Sequence, residues 1–107
     1  MPSNKFVEMA QQITLSIIPR GEYAVFLFGS LARGQMSARP DLDIGFWGNQ
    51  PLGKWRYPLI RAFEESGIPY SVDLVDFFEA DEGFRLEALS GAKIWNLPEN
   101  LGLNLRV

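Results

Sequence analysis

Six apolar residues in succession, Tyr23-Ala24-Val25-Phe26-Leu27-Phe28, leave this chain few ways to fold. A strand-length run without alternation predicts a central strand buried on both faces, which demands structure packed above and below it. The chain has 107 residues, 47% of them apolar, enough for one compact domain with a modest core and no second domain. The same run is its longest apolar stretch and falls far short of the ~20 residues that cross a bilayer. Met1-Pro2-Ser3-Asn4-Lys5 lacks the apolar core of a secretory signal, so the expectation is a soluble cytoplasmic protein.

Helices and strands alternate around that run. A helix from a Ser3 cap to about Ile18 carries Phe6, Ala10, Ile13 and Ile17 on one face, and Pro19 and Gly21 end it. Gly29-Ser30 turns the chain at the carboxyl end of the first strand, and Leu31 to Gln35 make a short helix. From about Asp41 to Trp47 the pattern alternates, with Leu42, Ile44 and Phe46 toward a core and Asp41, Asp43, Gly45 and Trp47 away from it. Asn49 to Lys54 is turn-like. A helix started by Pro58 carries Leu59, Ile60 and Phe63 and stops at Gly67 and Pro69.

A third strand, Tyr70 to Val75, puts Tyr70, Val72 and Leu74 on its core face and Ser71, Asp73 and Val75 on the other. A last helix, from about Glu79 to Ser90, is closed by Gly91, and Lys93-Ile94-Trp95-Asn96 adds a short fourth strand. The order predicts an α/β (α+β) layer structure in a single domain spanning 1–107. Its core covers about 4–96, and a tail, 97–107, carries Leu101, Leu103, Leu105 and Val107 at period two.

Neither cysteine nor histidine occurs in the chain. Disulfides, thiolate nucleophiles, Ser-His-Asp chemistry, imidazole acid-base work and the usual zinc and haem ligands are thereby excluded. Carboxylate chemistry remains, and oxygen-only ligands favour hard cations such as magnesium, manganese or calcium. A net charge of -3 argues against gripping nucleic acid by general electrostatics.

Asp41 and Asp43, two apart on a strand, project from one face with alpha carbons about 6.5 to 7 Å apart. If the second and third strands are neighbours with aligned core faces, Asp73 joins them, while Asp76 has the opposite parity. Like charges gathered on a half-buried face call for a cation. Gly29 permits close backbone approach, Ser30 offers a hydroxyl, and amides of the following helix suit phosphate oxygens. Each piece has an ordinary reading as well, the triplet as a solvated strand end and the turn as a helix cap. Gly34-Gln35 lacks the Lys-Ser or Lys-Thr of a Walker A loop.

Gly29-Ser30-Leu31-Ala32-Arg33-Gly34, ten residues between Ser30 and Asp41, Asp41-Leu42-Asp43-Ile44 and Val72-Asp73-Leu74-Val75 resemble the motif set of the minimal nucleotidyltransferases of the DNA polymerase beta superfamily. The likeness runs from the first strand to Gly91. It implies a nucleotidyltransferase fold, a small mixed sheet with helices. It also implies that Gly29 and Ser30 hold the triphosphate of ATP or another nucleotide, that Asp41 and Asp43 ligate two magnesium ions, and that Asp73 completes the site near the attacking hydroxyl. Arg33 either meets a phosphate or braces the loop. Many members have serine immediately before the first aspartate, where this chain has Pro40.

Stand-alone members of this size are similar to the antitoxins encoded beside HEPN-domain toxins. The resemblance implies that such an antitoxin binds its toxin and transfers AMP from ATP to a tyrosine on it. The alternatives are an interaction module that inhibits its partner by occlusion and, less favoured, an enzyme that modifies a small molecule such as an aminoglycoside. Trp47, Trp55 and Tyr57 cluster near the end of the second strand and serve either as partner anchors or as cover for the core, with a wall against a nucleobase as a third role for Trp47. The Leu101, Leu103, Leu105 and Val107 stripe packs either on a partner or on its own domain.

Overall fold

The uninterrupted apolar run forms a strand, β1 (Tyr23–Phe28), with all six residues buried. The computed structural model describes residues 4–35 and 38–99. In chain order these give α1 (Lys5–Ile17), β1, α2 (Gly29–Ala32), β2 (Asp41–Gly48), a 3-10 turn at Gly53–Trp55, α3 (Arg56–Ser66), β3 (Ser71–Asp76), α4 (Glu82–Leu89) and β4 (Lys93–Asn96). The strands make one mixed sheet in the order β3-β2-β1-β4. β1 lies antiparallel to both β2 and β4, whereas β2 and β3 are parallel, joined by α3 as the crossover.

Burial of β1 on both faces follows from two packed clusters. Val25 and Leu27 join Leu42, Ile44, Phe46 and Leu74 beneath α1 and α3, through Ala10, Leu59 and Phe63. Phe26 and Phe28 face the other way and pack with Phe77, Ala88 and Leu89 of the α4 side. Rings at 26 and 77 meet edge to face with centroids 4.7 Å apart, a favoured aromatic geometry.

The strands stand as their patterns predict, to within a residue at each end. Helix starts differ. Asn4, not Ser3, caps α1, its Oδ1 accepting from the amides of Phe6 and Val7 at 2.9 and 3.3 Å. The buried centre of that helix is Ala10 and Thr14, and the Thr14 hydroxyl is satisfied by donating to the Ala10 carbonyl at 2.8 Å. α2 begins at Gly29 itself and ends at Ala32, and α3 begins two residues before Pro58.

α4 begins at Glu82 rather than Glu79, because Asp81 is the cap, accepting from the Phe84 amide at 2.8 Å. The three aromatics expected to cluster are dispersed. Trp47 packs beside Phe77 on the α4 face, Trp55 packs against the opposite cluster, and Tyr57 is exposed. The Leu101 to Val107 stripe lies outside the described residues. Among those residues, no helix is long and apolar enough to cross a membrane.

Gly45 is what lets the second cluster close on the sheet. A β-carbon there would run into the rings of Phe26 and Phe77. Gly45→Val is therefore expected to lower unfolding stability by about 1 to 3 kcal/mol, the usual cost of overpacking. Urea denaturation followed by tryptophan fluorescence checks it, and an unchanged midpoint would contradict the packing described.

Candidate active site

The site is built on the α4 side of the sheet, where β1 ends and β2 and β3 begin. Register places Phe28 opposite Asp43 and Asp43 opposite Asp73, so these three form one row across the sheet. Residues directly opposed on neighbouring strands share a face. Asp41, two residues before Asp43, shares that face one step further out, opposite Ser71. The next row inward is Phe26, Gly45 and Val75. Apolar packing thus runs up to the acidic row and stops there.

Asp43 is the inner carboxylate of the group. Its pKa is raised above the ordinary 3.8, first by burial and then by the neighbouring charges of Asp73 and Asp41. Asp41 and Asp73 are exposed. Asp76, of opposite parity, is held on the far side, where its carboxylate accepts from the amides of Leu52 at 2.9 Å and Phe78 at 3.1 Å.

The Gly-Ser-Leu-Ala-Arg-Gly segment is a single helical turn between two left-handed glycines, Gly29 at φ 81° and Gly34 at φ 78°. Leu31 and Ala32 are buried and fix the turn to the core, while Ser30 and Arg33 face outward. Gly29 lies directly against Asp43, for a β-carbon at position 29 would collide with the Asp43 carboxylate. Both its positive φ and this contact call for glycine.

A cleft of about 210 Å³ opens beside the turn, lined by Phe28, Gly29, Arg33, Phe84, Glu87 and Ala88. Phe84 and Ala88 are expected from the sequence only as apolar residues of the last helix, and none of Phe84, Glu87 and Ala88 is expected there as a site residue. Their i, i+3, i+4 spacing on α4 was the available signal. Arg85 secures the start of α4 by donating to the carbonyls of Phe77 and Phe78, each at 3.0 Å, and its guanidinium lies 4.8 Å from the centre of the Trp47 ring. Trp47 thereby contacts both Arg85 and Phe77. A larger cleft, about 330 Å³, lies on the opposite side of the sheet between α3 and β3, away from the acidic row.

The structure therefore brings Asp41, Asp43 and Asp73 to one face and sets Gly29 against Asp43, with Ser30 and Arg33 on the adjoining turn. Among the described residues no three acidic side chains close on a single point as a metal-binding group. The carboxylates are arrayed along the sheet rather than wrapped around one centre.

The chain matches the sequence pattern of the family described as polymerase beta, nucleotidyltransferase, over residues 22–99. It is 35% identical over 78 residues to a probable protein adenylyltransferase, MntA, of Haemophilus influenzae, which covers 72% of this chain and 67% of that protein. A crystal structure of a toxin-antitoxin with AMP-PNP contains a chain that superposes with a TM-score of 0.66 at 22% identity, covering 90% of this chain and 73% of the other. A structure of a tri-AMPylated Shewanella oneidensis HEPN toxin in complex with its MNT antitoxin matches with a TM-score of 0.57 at 22% identity, over 82% and 70% of the two chains. At these identities the two structures establish the likeness of fold.

Two expected outcomes follow from the geometry. Gly29→Ala combines an unfavourable left-handed backbone, costing about 1 to 2 kcal/mol, with displacement of the Asp43 carboxylate. Chemical denaturation should register at least that loss. For Asp43 the raised pKa means that folding takes up a proton in the pH window between the unfolded and folded values. The associated stability is fully present below the unfolded pKa and is lost as pH rises through the folded one. Asp43→Asn should therefore melt higher than the parent at pH 7 in a chelating buffer, with the gap closing toward about pH 4. Equal melting temperatures at pH 7 would show that the acidic row carries no strain.

Proposed function

Because the chain belongs to the polymerase beta nucleotidyltransferase family, we propose that it is the antitoxin of a HEPN-domain toxin and transfers AMP from ATP to a tyrosine hydroxyl of that toxin. The observation that carries this is the row of Asp43 and Asp73 beside the Gly29 turn, which puts carboxylates next to a phosphate-sized turn. The description of the Haemophilus relative and the AMPylated HEPN toxin bound to a similar fold support the acceptor and the group transferred. On this reading residues 1–107 act as one nucleotidyltransferase domain in the cytoplasm.

In the proposed reaction the tyrosine oxygen attacks the α-phosphorus of ATP, the α–β phosphoanhydride bond breaks, and pyrophosphate leaves. The hydroxyl proton passes to Asp73, the exposed carboxylate on the outermost of the three strands. Gly29 and Ser30 receive the triphosphate, the glycine by close backbone approach and the serine through its hydroxyl. Arg33, exposed on the wall of the adjoining cleft, faces the same charge.

The donor set fits magnesium. It is oxygen only, and the like charges that raise the Asp43 pKa are what a cation would relieve. Asp41, Asp43 and Asp73 would hold it. Magnesium is ordinarily bound by one or two carboxylates together with substrate phosphates and water, which agrees with an array that does not close on a point by itself. When bound it supplies charge neutralisation at the phosphates.

Asp41→Asn with Asp43→Asn is expected to reduce label transfer from ATP to the HEPN partner on the order of 10³-fold, the scale of several kcal/mol of lost charge stabilisation. Autoradiography of the purified pair incubated with labelled ATP and magnesium measures it. Full labelling by the double variant would overturn the assignment of the carboxylates. Toxin neutralisation that survives the loss of labelling would mean that occlusion suffices.

A further inference from the structure

β3 is the outermost strand of the sheet, and it carries Asp73 on one face while its other face borders the larger cleft. We infer that the acceptor polypeptide docks here as an added strand, an extended segment pairing with the open edge of β3. The inference rests on the proposed transfer to a protein hydroxyl.

The edge is divided by Arg56, whose guanidinium donates to the Leu74 carbonyl at 2.9 Å and so occupies that main-chain acceptor. Before it, beside the acidic row, Val72 turns its N–H and carbonyl outward, whereas Ser71 and Asp73 share the inward parity of Phe77, whose amide donates to the Phe46 carbonyl. An added strand sits about 4.8 Å away, and its side chains alternate between the two faces of the sheet. The residue opposite Asp73 therefore shares the face of Asp73 and Asp43. Its two chain neighbours point the other way, over the cleft of about 330 Å³ walled by Ile60, Phe63, Ile68, Val72 and Leu74. Main-chain pairing of this kind supplies affinity, and pockets for alternate side chains supply specificity.

The chemistry of the occupant can be read from the two faces. The side chains lining the cleft are apolar apart from Glu64 and the Tyr70 hydroxyl, and that hydroxyl is already engaged by the Asn4 side chain at 3.0 Å. Ile60, 39% exposed, leaves apolar surface open at the rim. Glu64 lies on one face and three aspartates on the other, with the Arg56 guanidinium held to the Leu74 carbonyl, and no basic residue lines the cleft itself. The segment that fits is a hydroxyl-bearing residue flanked on each side by an apolar one, with a basic residue placed to meet Glu64. Charge complementarity then holds the strand in the register that sets its hydroxyl over Asp73.

The experiment combines hydrogen exchange with kinetics on the purified complex of this chain and its HEPN-domain partner. Complex formation is expected to slow exchange of the outward-directed Val72 amide by at least about tenfold, while the Ser71 and Asp73 amides, which point toward β2, change little. Ile60→Glu and Glu64→Lys, both on the exposed side of α3, are expected to raise the KM for the partner roughly tenfold each while kcat and ATP affinity stay unchanged. Unaltered exchange at β3 in a formed complex, or an unaltered KM in both variants, would overturn the docking. Exchange needs binding but no transfer, so protection of β3 without any labelling supports the docking and sinks the transfer reading.

Discussion

A strand that must be covered on both faces governs everything else in this protein. β1 has no side on which solvent is tolerable, so α1 and α3 are drawn to one face and Phe77 with α4 to the other. Its antiparallel pairing with β2 returns the chain so that the start of β2 lies beside the end of β1. That return brings Asp43 to Phe28 and to the Gly29 turn. The acidic row is thus placed by the demands of an apolar strand.

The same arrangement sets stability against function. Phe26, Gly45 and Val75 form a tight apolar row, and one step outward the row becomes Phe28, Asp43 and Asp73. Burial and two neighbouring charges oppose ionisation of Asp43, a cost the fold carries while no cation or ligand offsets it. The apolar rows beneath hold the carboxylates together despite their repulsion. Arg85 contributes by fixing the start of α4 to the 77–78 turn and covering Trp47.

Much of this was legible in the residues, and for identifiable reasons. Alternation at Leu42, Ile44 and Phe46 and at Val72 and Leu74 fixes side-chain parity, so Asp41, Asp43 and Asp73 could be assigned to one face and Asp76 to the other before any coordinates. Gly91, expected to close the last helix, adopts the left-handed backbone that this position calls for. Helix starts were less legible, because Ser3 and Asn4 are both competent caps and sequence does not rank them. The start of α4 is expected too early, at Glu79, because nothing in the sequence ranks Glu79 against Asp81, whose side chain accepts from the Phe84 amide and caps the helix. Parity says nothing of strand direction either. Nor does it say how tightly carboxylates converge, which depends on side-chain rotamers and on what neutralises them.

The mixed sheet has a consequence for the order in which the site comes into being. β1 and β2 are joined by residues 29–40 and pair as neighbours in the chain, whereas β2 and β3 are separated by α3 and must meet across a crossover. Local pairings close before distant ones. A chain partway through folding therefore possesses the turn and the Asp41–Asp43 pair but no Asp73 beside them. The third carboxylate arrives only with the crossover pairing of β3, bringing its repulsion with it, so the acidic row is assembled later than the turn beside it, while β4, which meets β1 from furthest along the chain, closes the sheet after both.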